Sequence, residues 1–190
     1  MAAPNLKGTI MLLSLMLLAA AQPAPPPTLT LAAARATLVG RWQGKLEYRD
    51  YQSNRWVGLP MTVAIRDGGD GVTQLRVADF DDGPKAGTVR ITTVSMLLKD
   101  GASESSVSFR KNDTPELSTA RLRLSAAPTP ARWVIVSEET GTDDNRPAKI
   151  RVTTTRDGNA LTELKEVDFT DYAAETWLPR NRTTLTRAGD

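Results

Sequence analysis

The chain has 190 residues, with 24 Lys and Arg against 22 Asp and Glu, for a formal charge of +2. Without a clustered basic surplus, no nucleic-acid partner is expected. Cys and His are both absent, which excludes disulfides, thiol nucleophiles, Cys- or His-held zinc and haem, and every Ser-His-Asp or Cys-His relay. An enzyme here would have to work with carboxylates, Lys, Tyr or a metal held by oxygen.

The N-terminus carries one base, Lys7, before an uninterrupted apolar run over residues 10–21 that ends in Ala19-x-Ala21. A basic start, a short apolar stretch and a small-x-small end predict a secretory signal peptide over residues 1–21, cleaved after Ala21. The run is too short for a bilayer-spanning helix, so no integral membrane segment is expected after cleavage. Residues 22–30 hold Pro23, Pro25, Pro26 and Pro27 and read as a stiff, extended linker. The remainder, 31–190, reads as a single domain. The expected location is the periplasm or the medium of a bacterium, a reading to which the Ala- and Arg-rich composition adds.

Residues 31–38 predict a short helix, with Thr30 placed to cap its start and Gly40 to end it. From 41 to 49 the chain alternates: Trp42, Gly44, Leu46 and Tyr48 fall on one face, with Arg41, Gln43, Lys45, Glu47 and Arg49 on the other. That is the period of a half-buried strand. Nine further strands are expected over 59–66, 72–80, 88–98, 104–110, 117–124, 132–138, 149–156, 160–169 and 176–186. Asp-Gly and Gly-Gly turn signals separate several of them, at 67–71, 82–84, 100–101 and 157–159. No helical stretch is long enough for a βαβ crossover, so the sheet is expected to be antiparallel. So many strands without covering helices must close or stack to dispose of their edges. The fold class is all-β, an antiparallel up-and-down barrel of about 8–10 strands behind a short N-terminal helix, with a sandwich as the alternative. Forty-three Leu, Val, Ile, Met and aromatic residues follow Thr28, about four per strand, which is sparse for a filled barrel.

Gly40-x-Trp42, following a short helix and opening the first strand, resembles the entrance motif of lipocalins and other calycins. The wider pattern through Gly44, Leu46, Tyr48, Asp50 and Tyr51 is similar to small exported bacterial proteins of unassigned function. The calycin resemblance implies a Trp that closes one barrel end, with an Arg of the last strand lying across it. Arg180, Arg182 and Arg187 are the candidates, and the reading assigns the barrel end to Gly40, Trp42 and Arg182. It also implies that the face of Trp42, Leu46 and Tyr48 is interior, which makes these three the expected ligand-binding residues.

Other motifs point to chemistry less well. Residues 79–83 begin like a calcium loop, but position 12 is Arg90 where an EF-hand needs Glu. That loop, 67–71 and Asp143-Asp144 are read as solvated turns, and no metal site is expected. Ser108-x-x-Lys111 has the spacing of a serine acylase motif, but lies in a strand, where the two side chains diverge. Glu163, Glu166, Asp168, Asp171 and Glu175 form an acidic stretch that could in principle run glycoside chemistry. Arg121, Arg123 and Arg151 alternate with apolar neighbours and become anion-binding candidates if their face is interior. No catalytic residue and no cofactor is assigned. The expected function is non-enzymatic binding of a small amphipathic or apolar ligand. The alternatives are an envelope structural or interaction protein with a filled barrel, and a carboxylate-based hydrolase.

Overall fold

The computed structural model describes residues 28–171 and 173–189. The expected signal peptide and residues 22–27 of the Pro-rich linker lie outside the described residues. Helix α1 (Leu31–Ala36) precedes ten strands: β1 (Gly40–Asp50), β2 (Arg55–Asp67), β3 (Thr73–Asp81), β4 (Thr88–Leu97), β5 (Ser103–Arg110), β6 (Glu116–Thr129), β7 (Arg132–Asp143), β8 (Arg146–Asp157), β9 (Ala160–Phe169) and β10 (Leu178–Arg187). A one-turn helix, α2 (Gly83–Ala86), sits between β3 and β4, where the sequence reads as a turn. No helix among the described residues is long and apolar enough to cross a membrane.

Each strand pairs antiparallel with its chain neighbours, and β1 pairs with β10 to close the ring. Closure leaves no free edge. All ten expected strands are present. The strand expected to end at 124 runs on to Thr129 as β6, because register shifts between Leu124 and Ala126 and again before Thr129 let it continue beside β7. The strand expected from 176 starts at Leu178. Local turn chemistry accounts for the hairpins. Asp70 accepts the amides of Val72 and Thr73 and the hydroxyl of Thr73 at 2.7–3.0 Å. Asp144 and Asn145 both take positive φ, the backbone of a two-residue primed turn.

Helix α1 covers one end. Thr30 caps it, accepting the Ala33 amide at 3.1 Å. The α1–β1 linker is then pinned from four strands, β1, β7, β8 and β10. Trp42 Nε1 donates to Leu38 O at 2.8 Å and Trp133 Nε1 to Thr37 Oγ1 at 3.1 Å. Arg187 donates to Val39 O and Thr37 O at 2.9 and 2.7 Å, and Arg156 donates to Thr37 O. Arg35 reaches into the barrel from the helix, donating to Val72 O at 3.0 Å and to Ser95 Oγ at 2.9 Å and lying 2.5 Å from Glu104.

Candidate functional site

Strand periodicity sets which side chains face inward, and the pairing register propagates that choice around the ring. Trp42, Gly44, Leu46 and Tyr48 of β1 share the inner face with Met61, Val63 and Ile65 of β2 and with Thr183, Leu185 and Arg187 of β10. Trp42, Leu46, Met61, Val63, Ile65, Ala78, Leu161 and Leu185 form one packed cluster. Inside this sector there is no room. Gly44 stands so close to β10 that a Cβ there would meet Thr184 O at 2.0 Å.

The opposite sector is different. The mid-strand inward positions of β4 and β5 are hydroxyl residues, with Thr93 opposite Ser108 and Ser95 opposite Ser106. Thr93 and Ser108 hydrogen-bond to each other at 2.8 Å. These small polar residues leave an interior cavity of about 240 Å³ beneath α1. Every strand from β2 to β9 contributes to its wall, and β1 and β10 do not. Its apolar side includes Leu122, Trp133, Ile135 and Val152. Its polar side includes two arginine–glutamate pairs, Arg35–Glu104 at 2.5 Å and Arg76–Glu163 at 3.6 Å.

The expected ligand residues are therefore not gathered around this cavity. Trp42 is 1% exposed and Leu46 8% exposed, both within the packed cluster. Tyr48 is 48% exposed and borders a separate pocket of about 90 Å³ at the far end, with Leu59, Phe80 and Arg110. There burial raises its phenol pKa above the ordinary value. None of the three lines the larger cavity. Their common face is interior, but Trp42 and Leu46 are spent on packing.

The barrel-end arginine also needs correction. Arg187 lies over the Trp42 ring, its Cζ 4.5 Å from the centroid. It is paired directly with Trp42 across β1 and β10. Its guanidinium occupies the space of a Gly40 side chain, 2.4 Å from where a Cβ would stand, and Gly40 has φ +138°. Arg182 faces outward instead, donating to Glu47 at 2.7 Å and lying 4.4 Å from the Trp56 ring. With Lys45, it holds the Glu47 carboxyl down to about 2. Arg180 lies 2.7 Å from Asp143.

The remaining candidates are dispersed. Asp79 is held by a two-pronged contact from Arg90 at 2.7 and 2.8 Å, and Asp81 accepts the Gly83 amide of its own turn. Glu166 and Asp168 face outward, opposite Arg151 and Lys149. Asp171 is bound by Arg146, and Glu175 pairs with Lys149 at 3.8 Å. Of that acidic stretch only Glu163 reaches the cavity. Arg121, Arg123 and Arg151 are on the outer wall. Arg151 pairs with Glu138 at 2.8 Å and stacks on Trp177 at 3.7 Å, and these three line an open outer groove together with Arg121. Trp133, Arg35, Arg76 and Glu104 were not singled out in the sequence. The sequence places Trp133 in an expected strand, 132–138, whose run of four apolar residues does not mark its inner face, and nothing local marks the other three.

No protein-family model matches the chain, and no curated protein matches it. Among solved structures, the crystal structure of Rv2717c from M. tuberculosis is similar, at 13% identity and TM-score 0.56, over 84% of this chain and 99% of that one. At that identity the likeness concerns the fold. A closed ten-strand antiparallel barrel is consistent with calycin-like barrels, with two strands more than the eight of lipocalins.

Proposed function

We propose that this chain is an exported, non-enzymatic barrel that holds one small amphipathic molecule in the cavity beneath α1. The observation that carries the reading is the cavity itself, which is apolar along β6–β8 and polar along β3–β5 and at Glu163. Barrel diameter grows with strand number, so ten strands enclose more space than the sparse apolar residues fill. An apolar cavity of about 150 Å³ admits benzene, so 240 Å³ admits roughly ten non-hydrogen atoms by the same proportion. Binding would use apolar contact with a few polar groups fixing orientation. The export part of the proposal rests on residues 1–21 and is tested by the mass of the protein from its native host, which should start at Gln22.

The binding test uses hexan-1-ol, followed through the Trp133 indole N–H resonance. The expected result is a saturable shift that weakens at least tenfold in Val152→Phe, which fills the cavity, with the melting temperature held or raised. No saturable binding of small alcohols, esters or aromatics would favour the structural or interaction role instead.

A further inference from the structure

The two ion pairs of the cavity are built differently. Arg35 is held by three close partners, Val72 O, Ser95 Oγ and Glu104 at 2.5–3.0 Å, and it ties α1 to the barrel. Arg76 and Glu163 come from β3 and β9, separated around the ring by β2, β1 and β10, so the pair spans the lumen. Its closest approach is 3.6 Å, beyond hydrogen-bond distance. Among the described residues neither side chain makes a hydrogen bond to another side chain. Both keep accessible surface, 29% and 28%, at inward positions that line the cavity. An arginine offers donors only and a carboxylate offers acceptors only, so the pair presents a donor and an acceptor side by side to the cavity.

Charge narrows the ligand class further. The ionisable side chains lining the cavity are Arg35, Arg76, Glu104 and Glu163, two positive and two negative. A ligand carboxylate or ammonium would add an uncompensated charge to a confined space, which is costly. A neutral group with both an acceptor and a donor would accept from Arg76, donate to Glu163 and leave the balance at zero.

Building on the proposed binding function, we propose that Arg76 and Glu163 form the recognition element of the cavity, selecting an uncharged donor–acceptor head group, of which a primary carboxamide is the simplest, over the matching carboxylate or ammonium. The hydrocarbon tail would lie against Leu122, Trp133 and Ile135. The test is calorimetric titration of the protein at pH 7 with hexanamide, hexanoate and hexylammonium, three ligands of one tail length. Hexanamide should bind at least tenfold more tightly than either ion. Glu163→Gln gives the lining a net positive charge, and hexanoate should then gain at least tenfold. Arg76→Gln gives it a net negative charge, and hexylammonium should gain instead. Equal affinities for the three ligands in the wild type, or an order unchanged in both variants, would overturn the selection while leaving the cavity as a binding site. No binding of any of the three to the wild type would overturn both.

Discussion

One ring of strands encloses two unlike interiors. In the sector of β1, β2 and β10, Trp42, Val63 and Leu185 are almost wholly buried and interlock. In the sector of β4 and β5, the mid-strand inward positions are Thr93, Ser95, Ser106 and Ser108, and a cavity opens. The backbone pairing is equally continuous in both. The contrast teaches that closure of the barrel and filling of the barrel are separate matters. Hydrogen-bond ladders close the ring, whereas side-chain volume decides whether the inside is core or site.

The largest expected effect separates the two sectors directly. Trp42→Ala should cost about 3–5 kcal/mol of stability, because the packed sector cannot collapse around so large a void. Ser106→Ala, on the cavity wall, should change stability by less than about 1 kcal/mol. Similar urea midpoints for the two variants would break the comparison.

Glycines sharpen it next. Gly44→Ala drives a methyl to 2.0 Å from Thr184 O and should cost about 1–3 kcal/mol as β1 and β10 move apart. Gly141→Ala, inward on β7, meets only Ile150 Cδ1 at 3.5 Å and should lie within about 0.5 kcal/mol of wild type. Thermal unfolding of the pair checks this.

The arginines of β10 come third. Arg187→Ala removes the donor to Val39 O, leaves Thr37 O to Arg156 alone and uncovers Trp42, for a loss of about 1–3 kcal/mol. Arg182→Ala acts on the outer wall, where Lys45 still pairs with Glu47 at 2.9 Å, and should cost less than about 1 kcal/mol. The reverse order would put the wrong arginine at the closed end.

The smallest effect is one of pH. Glu47 titrates at about 2 in the folded chain against an ordinary 4.5, so the unfolded chain takes up its proton first as pH falls. Its contribution is full above pH 4.5 and is lost as pH falls towards 2. Urea midpoints measured at pH 5 and pH 2.5 should therefore fall further in the wild type than in Arg182→Ala. Equal falls would mean that Arg182 does not hold the Glu47 carboxyl down.

Much of the architecture was readable in the residues alone. The alternation of 41–49 identifies β1 and its inner face, the Asp-Gly and Gly-Gly pairs mark several hairpins, and Thr30 marks the start of the short helix, because period, turn conformation and capping are local properties; the helix ends at Ala36 with Thr37 as its cap, and Gly40, expected to end it, opens β1 instead. The site was not readable in the same way. Arg180, Arg182 and Arg187 look alike in sequence, and only the β1–β10 register sets Arg187 opposite Trp42. Trp42, Leu46 and Tyr48 share one strand face, yet the first two are consumed by packing and the third borders another pocket. Arg76 and Glu163 stand 87 positions apart in the chain and meet across the lumen only because the ring closes. Local chemistry decides which way each side chain points, but which side chains share a cavity depends on register accumulated over ten strands and on where small residues leave space, and both are properties of the folded ring.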